Sequence, residues 1–375
     1  MPTRADLTAS SADNRHTGHD EAALMERALG LSVPTHPHPN PRVGALVVAA
    51  SGDVVSARAH VGPGHPHAEA AALADAGDAT VGSTVIVTLE PCDHHGRTPP
   101  CTEALIGAGV ARVVIGALDP DERVRGAGVA RLRRHGIEVV TGVLDDAVEA
   151  VDPGYFHHRR TGRPRVTLKL AATIDGQVAA ADGTSQWITG PAARRDVHRL
   201  RSASDAVVVG AGTVIADDPQ LTVRLDDYQG PQPRPMMVTG RRPLPESAAL
   251  LAQEALVYGP DEISWAGIAV VAMPAAGTAD GGQVDLAGML DDLGRRQVLS
   301  VLVEGGPTLA GAVHCGGLVD EYVFYLAARI AGGEGRPMFA GPFSTVDDAG
   351  TLRITDVRQM GPDLRITAVP AGEGR

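Results

Sequence analysis

A chain of 375 residues exceeds a comfortable single hydrophobic core and suggests two domains of ordinary size. Its 45 Asp and Glu against 33 Lys and Arg give a net charge of −12, and only 3% of its residues are Phe, Trp or Tyr, which argues against a nucleic-acid binder needing a basic stripe and stacking rings. The 3 cysteines are too few for a disulfide framework, no apolar run is long enough to span a bilayer, and the stretch before Asp20 lacks the apolar core of a signal peptide, so a cytoplasmic protein with a disordered tail over residues 1–19 is expected.

Short Val- and Ile-rich runs alternate with Ala- and Leu-rich periodic stretches, the pattern of α/β architecture in both halves. Asp20 reads as an N-cap and Gly30 as a stop for a first helix from Glu21 to Leu29. Val43 to Ala50 and Val54 to Val61 flank Ser51-Gly52-Asp53 and read as a hairpin. His67 opens an Ala-rich helix, Thr84 to Leu89 is a buried strand, Cys101 opens another helix, and Arg112 to Ala117 and Ile137 to Val140 are strands. The polar segment bounded by Pro153 and Pro164 marks the junction, giving a first domain over 20–152, a linker over 153–164 and a second domain over 165–375. Beyond it, strands are expected at Val166 to Ala171, Ala206 to Gly210, Pro235 to Val238, Ile268 to Ala272, Val298 to Val303 and Tyr322 to Leu326. Helices are expected near Ala192 to Arg201, Leu286 to Leu293 and Thr308 to Val313.

The most informative motif is His67-Ala68-Glu69 with Pro91-Cys92 and then Cys101. Catalytic zinc takes three protein ligands and leaves a fourth position to water. His67, Cys92 and Cys101 supply three, and Glu69 is placed to move protons instead of binding metal, as in zinc deaminases. The alternatives are a structural zinc site and an unconnected set of residues. A structural site needs a fourth ligand, for which His94 or His95 is local and Cys315 is distant. Cys101 and His67 both fall at helix starts, where the macrodipole favours negative charge. The segment from Asp93 to Pro100 separates the cysteines more widely than the usual nucleobase-deaminase signature.

In the second half, Val301 to Val303, Glu304, Gly305-Gly306 and Pro307-Thr308 read as a strand, a glycine pair and a helix start that can hold a phosphate, a weak signal by itself. No Gly-x-Gly-x-x-Gly follows a strand there, so a bound dinucleotide would not sit in the usual Rossmann manner. Read without further context, Trp187 suits a core, Lys169 an edge strand, Arg201 a helix C-terminus and Cys315 a buried small hydrophobe.

Pro39-Asn40-Pro41-Arg42-Val43-Gly44, His67-Ala68-Glu69, the run Thr88 to Cys101, Lys169-Leu170-Ala171, Ser185 to Thr189, Ala216 to Pro219 and Leu221 to Arg224 together resemble the bifunctional deaminase-reductase family of riboflavin biosynthesis, from Glu21 to Val369. The resemblance implies a cytidine-deaminase-like zinc domain followed by a dihydrofolate-reductase-like domain. The activities implied are zinc-dependent hydrolytic deamination of 2,5-diamino-6-(5-phosphoribosylamino)pyrimidin-4-one, then NADPH-dependent reduction of its ribosyl group to the ribityl group. It further implies that Asn40, His60, His94, Arg97 and Asp119 line the deaminase pocket, with Asp121 where relatives often carry Asn. In the reductase it carries Ala171, Trp187, Thr213, Asp217, Gly306, Pro307 and Thr308 to NADPH, sets Ser185, Arg201, Leu221, Arg224 and Glu304 toward the substrate, and gives Lys169 a catalytic place. One zinc per chain, a phosphorylated pyrimidine substrate, a homo-oligomer and no nucleic-acid or membrane partner are expected. A paralogue using the same chemistry in a specialised flavin-like or antibiotic pathway is the alternative. A nucleic-acid deaminase and a non-enzymatic zinc-stabilised module are more distant readings.

Overall fold

The computed structural model describes residues 20–96, 99–122, 124–240, 245–260, 264–265, 268–273, 283–341 and 344–372. The chain forms two compact units, Met1–Asp152 and Pro153–Arg375.

The first unit runs α1 (Glu21–Ser32), β1 (Gly44–Val48), β2 (Val54–Ala59), α2 (Ala68–Ala76), β3 (Thr84–Leu89), α3 (Cys101–Gly107), β4 (Arg112–Ala117), α4 (Ala127–Arg134), β5 (Glu138–Thr141) and α5 (Asp145–Val151). Its sheet has the order β2-β1-β3-β4-β5, with β1 antiparallel to both neighbours and β3, β4 and β5 parallel. Five consecutive positions of β3 and of β4 are buried, as expected where helices cover both faces of a parallel sheet. Asp20 caps α1 by accepting the N–H groups of Ala22 and Ala23. Gly30 does not stop this helix, which ends two residues later: the Val33 N–H and the Ser32 hydroxyl both reach the Leu29 carbonyl.

Gly44 shows why the turn into β1 carries glycine, since a Cβ there would lie 1.9 Å from the Ala28 carbonyl oxygen. Helix α1 packs directly on the strand at that point. Gly44→Ala is therefore expected to cost about 3 kcal/mol of stability, the upper range for overpacking, read as a lower denaturant midpoint at unchanged slope; a loss below about 0.5 kcal/mol, the level of an ordinary surface change, would contradict the close approach.

The second unit runs α6 (Pro153–Thr161), β6 (Arg165–Thr173), β7 (Gln177–Ala179), α7 (Pro191–Ser202), β8 (Ala206–Gly210), α8 (Ala211–Asp217), β9 (Arg234–Val238), β10 (Leu256–Gly259), β11 (Ser264–Trp265), β12 (Ile268–Ala272), α9 (Leu286–Arg295), β13 (Ser300–Val303), α10 (Pro307–Cys315), β14 (Glu321–Ala327), β15 (Arg336–Pro337), β16 (Leu352–Met360) and β17 (Asp363–Pro370). Ten strands form one sheet in the order β11-β12-β10-β9-β8-β13-β6-β14-β17-β16, and β15 pairs with β7. From β12 to β14 neighbouring strands are parallel, while β16 and β17 form an antiparallel hairpin at one edge. Alternate residues feed two cores: Val208, Met236 and Val303 join one, Val207, Val209, Met237 and Leu302 the other. The expected linker largely becomes α6, because Tyr155 and Phe156 bury their rings and Pro153 suits a helix start.

Candidate active sites

In the first unit the strand β3 delivers Cys92 just beyond its end, α2 begins after His67, and α3 begins with Cys101. Their ligand atoms all lie within 4.8 Å of one another, and His67 Nδ1 is 3.2 Å from Cys101 Sγ and 3.6 Å from Cys92 Sγ. The Cys101 N–H points at Cys92 Sγ at 3.4 Å. The hydrogen bond from Cys101 and the nearby His67 hold the Cys92 thiol well below its usual range, whereas the Cys92 sulfur and burial push Cys101 up. One thiolate raises the cost of a second beside it, and only a positive charge between the two sulfurs and the imidazole would let both ionise, so the donor set fits a zinc ion. Glu69, in the first turn of α2, is 4% exposed, and burial together with the Cys92 charge pushes its carboxyl up to about 7.

Around this group the side chains hold one another in register. His60 gives its Nδ1 proton to the Pro66 carbonyl at 3.0 Å and is 2.9 Å from Asn40 Nδ2 through Nε2, so the Asn40 amide is oriented with its oxygen turned away from the ring. Burial lowers the His60 pKa, keeping the ring neutral as that arrangement requires. Glu90, 4% exposed, accepts N–H groups from Asp119, Gly126, Gly128 and Val129 and thereby fastens the loop after β4 to the start of α4. Asp119 is 7% exposed, and its Oδ1 accepts the Asp121 N–H at 2.9 Å. Asp93 receives the Thr102 hydroxyl and Arg131, each at 2.7 Å, anchoring the beginning of the segment between the cysteines.

In the second unit the carboxyl ends of the parallel strands β8, β13 and β6 lie side by side, the usual place for a ligand in an open α/β sheet. Beyond β13, Glu304 receives Arg201 through both ends of its fork, at 2.6 and 3.1 Å, and stands 3.8 Å from Lys169 Nζ. Although burial alone would raise it, the charges of Arg201 and Lys169 hold the Glu304 carboxyl below the ordinary range; burial lowers Lys169. Gly306 caps α10, with Pro307 as its first residue, and a Cβ on Gly306 would lie 3.6 Å from Thr213 Oγ1 on α8. Two helix starts thus converge beside a glycine pair, and the N–H groups of a first turn have no partner within their helix. That cradle fits the phosphates of a dinucleotide. Asp217 accepts Gln186 Nε2 at 3.1 Å, tying α8 to the segment that carries Ser185 and Trp187.

Comparisons with known proteins agree with this geometry. The family model "Cytidine and deoxycytidylate deaminase zinc-binding region" matches residues 19–117, and "RibD C-terminal domain" matches residues 164–366. The riboflavin biosynthesis protein RibD of Escherichia coli is 39% identical over 366 residues, covering 92% of this chain and 98% of that protein. The chain belongs to the RibD family. RibD of Mycobacterium tuberculosis is 38% identical over 372 residues, covering 93% and 98% of the two chains. Among solved structures, Acinetobacter baumannii RibD superposes with a TM-score of 0.86 at 36% identity over 94% of this chain and 99% of that one. The deaminase/reductase of Thermotoga maritima superposes with a TM-score of 0.82 at 34% identity over the same shares.

As a RibD-family fold, the first unit brings His67, Cys92, Cys101 and Glu69 together and sets Asn40 and His60 beside them. His94 is exposed and stands outside the ligand group, and Arg97 lies outside the described residues. Lys169 sits on β6 between β13 and β14, so it is not on an edge. Trp187 is not core: it is 62% exposed and carries the Arg194 guanidinium 4.6 Å from its ring centre. Arg201 does not close its own helix; its remaining reach goes to the Thr222 carbonyl. Leu221 is buried with φ 57°, so what it offers a ligand is main chain, whereas Arg224 is exposed. Ala171 lies on β6 two residues from Lys169, and Thr308 is exposed in the first turn of α10. Cys315 is exposed at the end of α10, not buried, because that helix terminus reaches the surface. Glu90 and His198 carry no motif signature apart from adjacency, and reasoning from sequence did not single them out.

Proposed function

We propose that this chain hydrolyses the 2-amino group of 2,5-diamino-6-(5-phosphoribosylamino)pyrimidin-4-one in its first unit and reduces the ribosyl group of the product with NADPH in its second. The observation that carries the reading is the convergence of His67, Cys92 and Cys101 within 4.8 Å, with buried Glu69 two residues beyond His67 in the first turn of α2. His67, Cys92 and Cys101 would hold zinc, which would supply the positive charge that activates water near neutral pH. Glu69, near neutrality through burial, takes a proton from the attacking water and returns it to the departing ammonia. The Asn40 carbonyl oxygen, turned outward by His60, accepts from the donor edge of the pyrimidine. Asp119 lines the same pocket, with His94 toward the phosphate; Arg97, expected to join it, lies outside the described residues.

In the second unit Ala171, Trp187, Thr213, Asp217 and the Gly306-Pro307-Thr308 turn would hold NADPH, which would supply the hydride. Lys169 donates hydrogen bonds at the reacting carbon's heteroatom, and Glu304 with Arg201 fixes its reach. Ser185, Leu221 and Arg224 bound the substrate. The acidic net charge supports a small-molecule substrate over nucleic acid. Among the described residues no helix is long and apolar enough to cross a membrane. Exposed Ile354 and Val357 on edge strand β16 support a homo-oligomer. The specialised-pathway alternative draws no support from the relatives named above.

Chelator treatment tests the division of labour. Ammonia release from the diamino substrate is expected to fall to background and to return with added zinc, while NADPH oxidation with the deaminated substrate continues unchanged. Deamination that persists after zinc is stripped would overturn the assignment.

A further inference from the structure

Three side chains hold successive residues of the segment from Leu221 to Arg224. Arg201 Nη1 donates to the Thr222 carbonyl at 2.9 Å. Gln232 grips Val223 at both ends, accepting its N–H at 2.7 Å and donating to its carbonyl at 3.3 Å. His198 Nδ1 accepts the Arg224 N–H at 3.2 Å. His198 and Arg201 are three residues apart on α7, so they lie on one face of that helix and grip the segment from the same side. Leu221, with its side chain buried and φ 57°, anchors the start. What the grip leaves outside is the Arg224 guanidinium, which is exposed and rests against Gln220 Oε1 at 3.3 Å and Thr222 Oγ1 at 3.5 Å.

We propose that His198 is a positioning residue of the reductase site: the lone pair on its Nδ1 fixes the main chain of Arg224, and with it the guanidinium that meets the phosphate of the substrate. This rests on the reading above that the second unit reduces a ribosyl phosphate. A guanidinium is suited to a phosphate only when its fork is aimed, because the two parallel N–H bonds are directional. A nitrogen that accepts an N–H carries no proton, so the imidazole works in its neutral form. Burial and the neighbouring Arg201 and Arg224 charges lower the His198 pKa, with Glu304 acting in the opposite sense, which agrees with that form.

The test uses the full-length protein with NADPH and the deaminated ribosylaminopyrimidine phosphate. His198→Leu is expected to raise KM for the phosphorylated substrate about tenfold, the effect of one lost hydrogen bond at the upper end of its range, with kcat and the KM for NADPH within about threefold. His198→Asn, whose Oδ1 is bonded to Cγ as the imidazole Nδ1 is and can accept the same N–H, is expected to bring KM back to within about threefold of the unaltered protein. In an Arg224→Ala background the His198→Leu change is expected to have no further effect. Should the leucine variant not fold, His198→Gln, whose amide reaches the place of Nε2 and not that of Nδ1, is read in the same way. An unchanged substrate KM, or a parallel loss of kcat and both KM values, overturns the positioning role and leaves simple packing. If the unaltered protein does not turn over this substrate, the functional reading falls and the positioning role falls with it.

Discussion

Replacing Glu69 by Gln is expected to lower deamination by about 10³-fold, the middle of the range for a positioned proton carrier, while zinc content and NADPH-dependent reduction stay as they were. The size of the effect follows from where the carboxyl sits. It is 4% exposed, and burial with the Cys92 charge pushes it up to about 7, so it can change protonation state at working pH where an ordinary glutamate would not. Glutamine keeps the volume and removes the titrating group. It also removes a carboxyl that is costly to bury, so the variant should be no less stable than the parent. His67, Cys92 and Cys101 do not depend on this carboxylate for their approach, because the helix starts and the Cys101 N–H set their positions. Metal analysis of the purified variant, with separate assays of ammonia release and NADPH oxidation, distinguishes this outcome. Retained deamination would take Glu69 out of its role, and lost zinc would make it a structural support.

Arg201→Met is expected to cost about 3 kcal/mol of stability in the second unit, the level found when a buried ion pair loses one partner, and to abolish reduction. Arg201 and Glu304 have side chains only 11% and 10% exposed and meet through both ends of the guanidinium fork. Without Arg201, the cation left in an ion pair with Glu304 among the described residues is Lys169, 3.8 Å away. The exposed Arg58–Asp75 pair, with side chains 49% and 37% exposed, provides the contrast: breaking it should cost less than about 1 kcal/mol. The double variant Arg201→Met with Glu304→Gln should recover part of the stability, since the stranded carboxylate is gone while Lys169 is left without its counter-charge, but not the activity, since Lys169 loses the carboxylate that orients it. Denaturant midpoints and initial rates measured on all three proteins check this. A loss below about 1 kcal/mol for Arg201→Met, the level of a surface pair, would mean that water reaches the pair and that it is not the organising contact of the site.

The parts of the fold that rest on hydrophobic periodicity were legible in the chain. Strands β3 and β4 match their expected limits because their apolar runs are short, continuous and bounded by polar turns. Helices α2 and α3 begin at the metal motif because His67 and Cys101 fall at the change from turn to Ala-rich pattern. Helix α6 was not legible, since a polar composition between two prolines hides the adjacent Tyr155 and Phe156 that bury it. The hairpin β16–β17 was missed for a related reason: β16 is exposed along most of its length, so its side chains show no clean alternation. Helix α8 follows β8 without a turn residue other than Gly210, and nothing in the chain separates the two. At the sites, residue types pointed to the metal group, but pairing did not. That Glu90 accepts four backbone N–H groups, or that Arg201 spends its fork on Glu304, depends on contacts across long sequence separations that no local pattern encodes.

The most direct measurement is mass analysis of the products formed when zinc-loaded protein meets the diaminopyrimidinone ribosylamine phosphate, with and without NADPH. Loss of ammonia without NADPH, followed by a gain of two hydrogens only when NADPH is present, is the expected result. An untouched substrate on protein that holds its zinc would contradict the assignment of both units to these two consecutive steps.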